Sequence, residues 1–162
     1  MLNRLLRPLS YTSSVFNKPS FHILHEPGES ILTAHWLQTA TNESARNDYG
    51  DLLAAARVQG RCRFWLVDLH HRVRYSDDIY QWFAHTFAPH AVRSLGHPLF
   101  IAYIMAAQQY DYAHDPAIER LQQMCAAYDL HLAFFETRDA ALRWLQHQQE
   151  HDPAPGEGPA PV

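Results

Sequence analysis

The stretch from Cys62 to Phe83 reads CRFWLVDLHHRVRYSDDIYQWF, and its reading decides the fold. Cys62 to Leu69 is a nearly continuous apolar run of strand length, the pattern of a central strand covered on both faces. After a polar loop, Ser76 stands at an N-cap position. Asp77 and Asp78 follow in the first turn, where acids suit the positive end of a helix dipole. Ile79, Trp82, Phe83 and Phe87 then form an inner stripe, and Pro89 is expected to end or kink the helix. A buried strand that runs through a loop into an amphipathic helix is half of a β-α-β unit.

Working outward, the same alternation repeats. On the amino-terminal side, Phe21 to His25 and Ile31 to Leu37 flank a Pro27-Gly28 turn, the signature of a hairpin. Ala45, Tyr49, Leu52, Leu53 and Ala56 recur at helical spacing, with Gly60 placed to stop that helix. On the carboxy-terminal side, Leu99 to Ala106 is a second buried strand. Asp115 and Pro116 open a helix lined by Ile118, Leu121, Cys125 and Tyr128. LHLAFFE is a short strand, and Thr137 caps a last helix that buries Ala141, Leu142 and Leu145. The expected fold is α/β: a mixed, mostly parallel five-stranded sheet with an N-terminal β-hairpin and four helices, in the order β-β-α-β-α-β-α-β-α.

The 162 residues suffice for one domain with a core, and 47% of them are apolar. Residues 1–20 carry Arg4, Arg7 and Lys18 without an acid. That composition is shared with organellar transit peptides, and it is read here as a flexible basic arm. Residues 151–162 form a proline-rich tail expected to be disordered, leaving 21–150 as the domain. A net charge of -4 gives no electrostatic attraction to nucleic acid or an anionic membrane. The mean hydropathy of -0.35 and the lack of a bilayer-length apolar run fit a soluble chain, so no membrane partner is expected. Cys62 and Cys125 adjoin apolar positions and are read as reduced core thiols of a cytoplasmic protein.

The order of elements, the segment FWLVDLHHRVRYSDDIYQWF, the strand FIAYIMA and above all FFETRDAALRWL resemble the SpoIIAA-like, STAS-type α/β domains of bacterial proteins. The likeness spans about residues 21 to 147. It is closest to uncharacterised members whose central strand leads into a D-x-x-x-R loop, here Asp68 to Arg72. It implies a non-enzymatic regulatory or protein-interaction module that uses the loop and the following helix as its contact surface, with a protein partner and no cofactor. A homodimer is compatible with it. In the anti-sigma-factor antagonists of the wider family a phosphorylatable serine sits at this junction in a D-S-S-G-like context. Here only Asp68 matches; the loop is longer, and Ser76 falls at the helix start.

Two constellations bear on chemistry. Asp68, His70, Arg72, Arg74 and Ser76 gather at the C-terminal edge of the sheet, where open α/β sheets bind ligands. They are the candidate partner- or ligand-binding residues. The arginines and the helix N-terminus could take a phosphate or carboxylate, so a small anionic metabolite is the alternative ligand. If the strand continues, Asp68 and His70 share one side and His71 takes the other. HQQEH, His147 to His151, matches the H-x-x-E-H signature of one class of zinc peptidases. Such a peptidase takes its third ligand from far downstream, and only a short tail with Asp152 and Glu157 follows His151. A helix end fraying before Pro153 is therefore expected, with no metal. Ser/His/Asp order, G-x-S-x-G, P-loop and G-x-G-x-x-G are all missing from the sequence, so no catalytic set is expected. The twelve histidines are scattered, and the loop tyrosines Tyr110 and Tyr112 are read as a solvent-facing or contact surface.

Overall fold

A computed structural model describes residues 13–26, 28, 30–38, 41–70, 76–106 and 115–152. The α/β layout expected from the sequence holds. The hairpin strands are β2 (Phe21–Glu26) and β3 (Ile31–Trp36), followed by helix α1 (Asn42–Val58) and the central strand β4 (Phe64–Asp68). Then come α2 (Asp77–Trp82), a π-helical turn (Phe83–Phe87), α3 (Ala88–Leu95), β5 (Leu99–Ile104), α4 (Pro116–Ala126), β6 (Leu130–Phe135) and α5 (Arg138–His151).

The sheet gains one strand that the sequence reading had placed in a flexible arm. β1 (Ser13–Lys18) pairs antiparallel with β2, Lys18 opposite Phe21, so the ordered domain begins before residue 21. An edge strand needs few apolar side chains, which is why its composition hid it. It is fastened through Lys18, whose Nζ lies 2.5 Å from Asp48 Oδ1 and 3.5 Å from Asp51 Oδ2 on α1. Partial burial disfavours the ammonium, but Asp48 and Asp51 outweigh it and raise the lysine pKa. The Asp48 carboxylate is itself buried and accepts a 2.8 Å bond from Trp36 Nε1 on β3.

The six strands lie in sequence order, β1 to β6, antiparallel as far as β3 and parallel from β3 onward. Consecutive parallel strands joined by crossovers of the usual right hand put every connecting helix on the same face. The packing agrees. Trp65, Val67, Ile101, Tyr103 and Leu132 share one core with residues of α1, α2, the π turn, α3 and α4. Phe64, Leu66, Phe100, Ala102 and Ile104 point the other way, against Ala141 and Leu145 of α5. Each face of β4 is thus covered by a different part of the chain.

Pro89 does not end its helix; the π turn just before it lets the chain continue. Ala88 donates to the Phe83 carbonyl five residues back, and the helix runs on to Gly96, whose φ of 77° closes it. The buried residues Ile79, Phe83, Phe87, Ala91 and Leu95 stand four apart. In an α-helix each such step overshoots a full turn by about 40°, so the stripe would drift off the core. A turn with more residues per revolution falls short instead and brings the stripe back. Phe83 and Phe87 thereby both reach Tyr49, at ring distances of 5.0 and 5.2 Å, and Tyr49 hydroxyl lies 2.8 Å from that of Tyr103.

Two further expectations change. Tyr128 is exposed rather than inward, because α4 stops at Ala126 and Asp129, at φ 62°, turns the chain toward β6. The last helix does not fray before Pro153 either. It runs through His151, and Asp152 beyond it is gripped by Arg63, so the carboxy-terminal tail is ordered at least to residue 152. No helix among the described residues is long and apolar enough to cross a membrane.

Leu145→Ala tests whether α5 alone closes the second face. The substitution should lower unfolding free energy by about 3 kcal/mol in urea titrations with an unchanged slope, since it empties a fully buried site.

Candidate functional site

Asp68 ends β4, and its side chain lies on the α5 side of the sheet because Phe64, Leu66 and Asp68 alternate with Trp65 and Val67. The next residue is tied into the sheet, Leu69 N–H donating to Ile104 carbonyl at 2.8 Å. The chain then bends, and Asp68 Oδ1 accepts from the His70 amide at 2.9 Å, the local capping turn that aspartate favours. The same oxygen lies 2.5 Å from His70 Nδ1. Asp68 and His70 therefore meet, but through this turn, since the strand does not continue beyond Asp68.

The third member is one that sequence reasoning missed. His35 on β3 stands in register with Asp68, and its Nδ1 lies 3.5 Å from Asp68 Oδ2. The signal was topological. His35 and Asp68 are far apart in sequence and become neighbours only because β3 and β4 pair in parallel. His22 on β2 faces His35 in the next register position, which extends the polar row toward the hairpin.

Burial works to raise the Asp68 pKa, but the bonds from His35 and from the His70 amide and ring prevail and hold it well below the usual carboxylate range. Both oxygens are thus occupied by groups of the same chain. The carboxylate acts as the latch that starts the loop. His71, Arg72 and Arg74 lie outside the described residues. Ser76 is at the helix start with an extended backbone, as expected, but its hydroxyl caps no amide. Instead it accepts a 2.8 Å bond from Asn42 Nδ2, which ties the far end of the loop to the start of α1. Tyr110 and Tyr112 also fall outside the described residues.

Elsewhere, both thiols are free and buried. Burial raises the Cys62 pKa despite the opposing backbone groups of Phe64 and Leu32, and it pushes Cys125 up to about 12. Neither is a thiolate nucleophile at neutral pH. A cleft of about 450 Å³ opens at the opposite, N-terminal edge of the parallel strands, lined among others by His25, Arg61, Arg63 and His97. Arg63 is not available there as a free cation. It is buried, donates to Pro98 carbonyl at 3.1 Å and holds both the side chain and carbonyl of Asp152. At the end of α5, His147, Glu150 and His151 place one ligand atom each within 4.8 Å of one another.

Comparison with protein-family models gives no match, and neither curated proteins nor solved structures provide a significant one. The functional reading therefore rests on the geometry.

The Asp68 latch has a pH signature. Because its folded-state pKa is depressed, its stabilising effect is complete above the unfolded value near pH 4 and is lost as pH falls through the folded pKa. Urea titrations should show wild type more stable than Asp68→Asn at pH 6, with the gap narrowing steadily below about pH 4. A gap unchanged down to pH 2.5 would mean that the two histidines do not hold the carboxylate.

Proposed function

We propose that this chain is a non-enzymatic interaction module, STAS-like in architecture, that presents the loop from Asp68 to Ser76 and the helix beginning at Asp77 to a protein partner. The strand order is the observation that carries this reading. Small-molecule sites at the C-terminal edge of open α/β sheets form where the order reverses and the helices on either side diverge to opposite faces. From β3 to β6 the order never reverses, and the connecting helices share one face. That arrangement favours a surface over a crevice beside Asp68.

The rest of the site is compatible with docking. The residues that flank the loop are tied down, by the Asp68 turn on one side and by the Asn42–Ser76 bond on the other. The following helix exposes Asp77, Asp78 and Gln81 while Ile79 and Tyr80 are buried. Trp82 is half-buried beside them, with the Arg46 guanidinium 5.9 Å from its ring, an amphipathic element of the kind enriched at protein contacts. The sequence resemblance to STAS-type domains supports a regulatory role, and a cytoplasmic setting belongs to the same proposal.

If the loop serves as a contact surface, replacing Arg72 and Arg74 together by alanine should leave the melting temperature within about 1 °C. The double variant should nevertheless recover partners from cross-linked cells several-fold less well than wild type. Equal recovery by both proteins overturns the loop as contact surface. A thermal-shift response to phosphorylated or carboxylated metabolites that vanishes in the double variant would instead establish the small anionic ligand.

A further inference from the structure

His147, Glu150 and His151 occupy positions i, i+3 and i+4 of α5, and all three face solvent on one side of its last turn. Their ligand atoms lie within 4.8 Å of one another, and the two imidazole rings are 4.1 Å apart. His151 Nδ1 is 2.8 Å from His147 carbonyl. A carbonyl only accepts, so Nδ1 donates this bond, and in the neutral ring the lone pair is then on Nε2. Metal-binding histidines are oriented in the same way, one ring nitrogen donating to a carbonyl while the other coordinates.

A terminal helical turn ordinarily frays and would hold three ligands poorly. This one is anchored. Asp152, next to His151, is fixed by two bonds from Arg63 at 3.2 and 3.1 Å, and Arg63 is itself buried with its guanidinium 5.1 Å from the Phe64 ring. The negative end of the helix dipole also lies here and favours a cation. We propose that His147, Glu150 and His151 form a surface site for a divalent transition metal, zinc in the first instance, with the remaining coordination positions left to water or another ligand. Two imidazole nitrogens and one carboxylate oxygen suit zinc, nickel or copper and do not suit magnesium or calcium. Glu150 is a ligand in this arrangement and cannot also be the general base of a peptidase. The site binds metal and does not hydrolyse peptides.

Calorimetric titration of the full chain, without a histidine tag, with zinc chloride should show one equivalent bound in the micromolar range. His147→Ala and His151→Ala should each weaken binding by about tenfold or more, and His85→Ala should not. These side chains are exposed, so circular dichroism of the variants should match wild type. In imidazole nitrogen NMR spectra, zinc should shift Nε2 of His147 and His151, while Nδ1 of His151 stays protonated. Zinc binding with unchanged stoichiometry and affinity in the His147→Ala/His151→Ala double variant overturns the site. So does a wild-type chain that takes up no zinc, or zinc found on Nδ1 of His151.

Discussion

The structure depends on keeping both faces of one strand dry. β4 carries Phe64 and Leu66 on one side and Trp65 and Val67 on the other, all of them buried. A parallel strand in sequence order can have only one face covered by its crossovers, because those crossovers share a hand. The other face must wait for a helix that follows the last strand. α5 fulfils that requirement with Ala141 and Leu145 buried against Phe64, Leu66 and Phe100, and with Trp144 partly buried beside them. Arg63, immediately before β4, then secures the distal end of the same helix through Asp152. The strand and its cover are tied together by packing at one point and by a charge-assisted clasp at another.

The same constraint shapes the surface at the C-terminal edge. With three crossovers on one face, the strand ends there are not split by diverging helices, and Asp68 is free to serve the backbone. It turns the chain at His70 and is contacted by two imidazoles, one from β3 and one from its own loop. A carboxylate so thoroughly engaged costs little to bury in part.

Periodicity made most of the architecture legible beforehand. The unbroken apolar run at Phe64 to Val67, the caps at Asp115 and Thr137 and the stop at Gly60 are local signals, and each appears where it was expected. What escaped was decided by partners distant in the chain. β1 exists because β2 offers an edge and α1 offers Asp48 and Asp51 to Lys18. Pro89 sits inside a helix because a wider turn precedes it, a choice made by the aromatic core around Tyr49 rather than by the proline. In the site, Asp68 and His70 were visible as near neighbours, whereas His35 was not, since only strand register brings it there. The order at His151 likewise comes from Arg63, a residue on the far side of the domain in sequence.

A sheet whose strands follow the order of the chain has an implication for how the molecule is assembled. Every strand after the first pairs with the one made just before it, so contacts are comparatively local and loop-closure entropy is met in small instalments. The polypeptide can add its strands one by one as it leaves the ribosome, burying one side of the growing sheet at each crossover. The opposite side stays wet, with Phe64 and Phe100 uncovered, until α5 emerges and settles on them. Nascent chains halted before residue 138 would therefore display a greasy half-finished surface, and that interval is when a chaperone would find them.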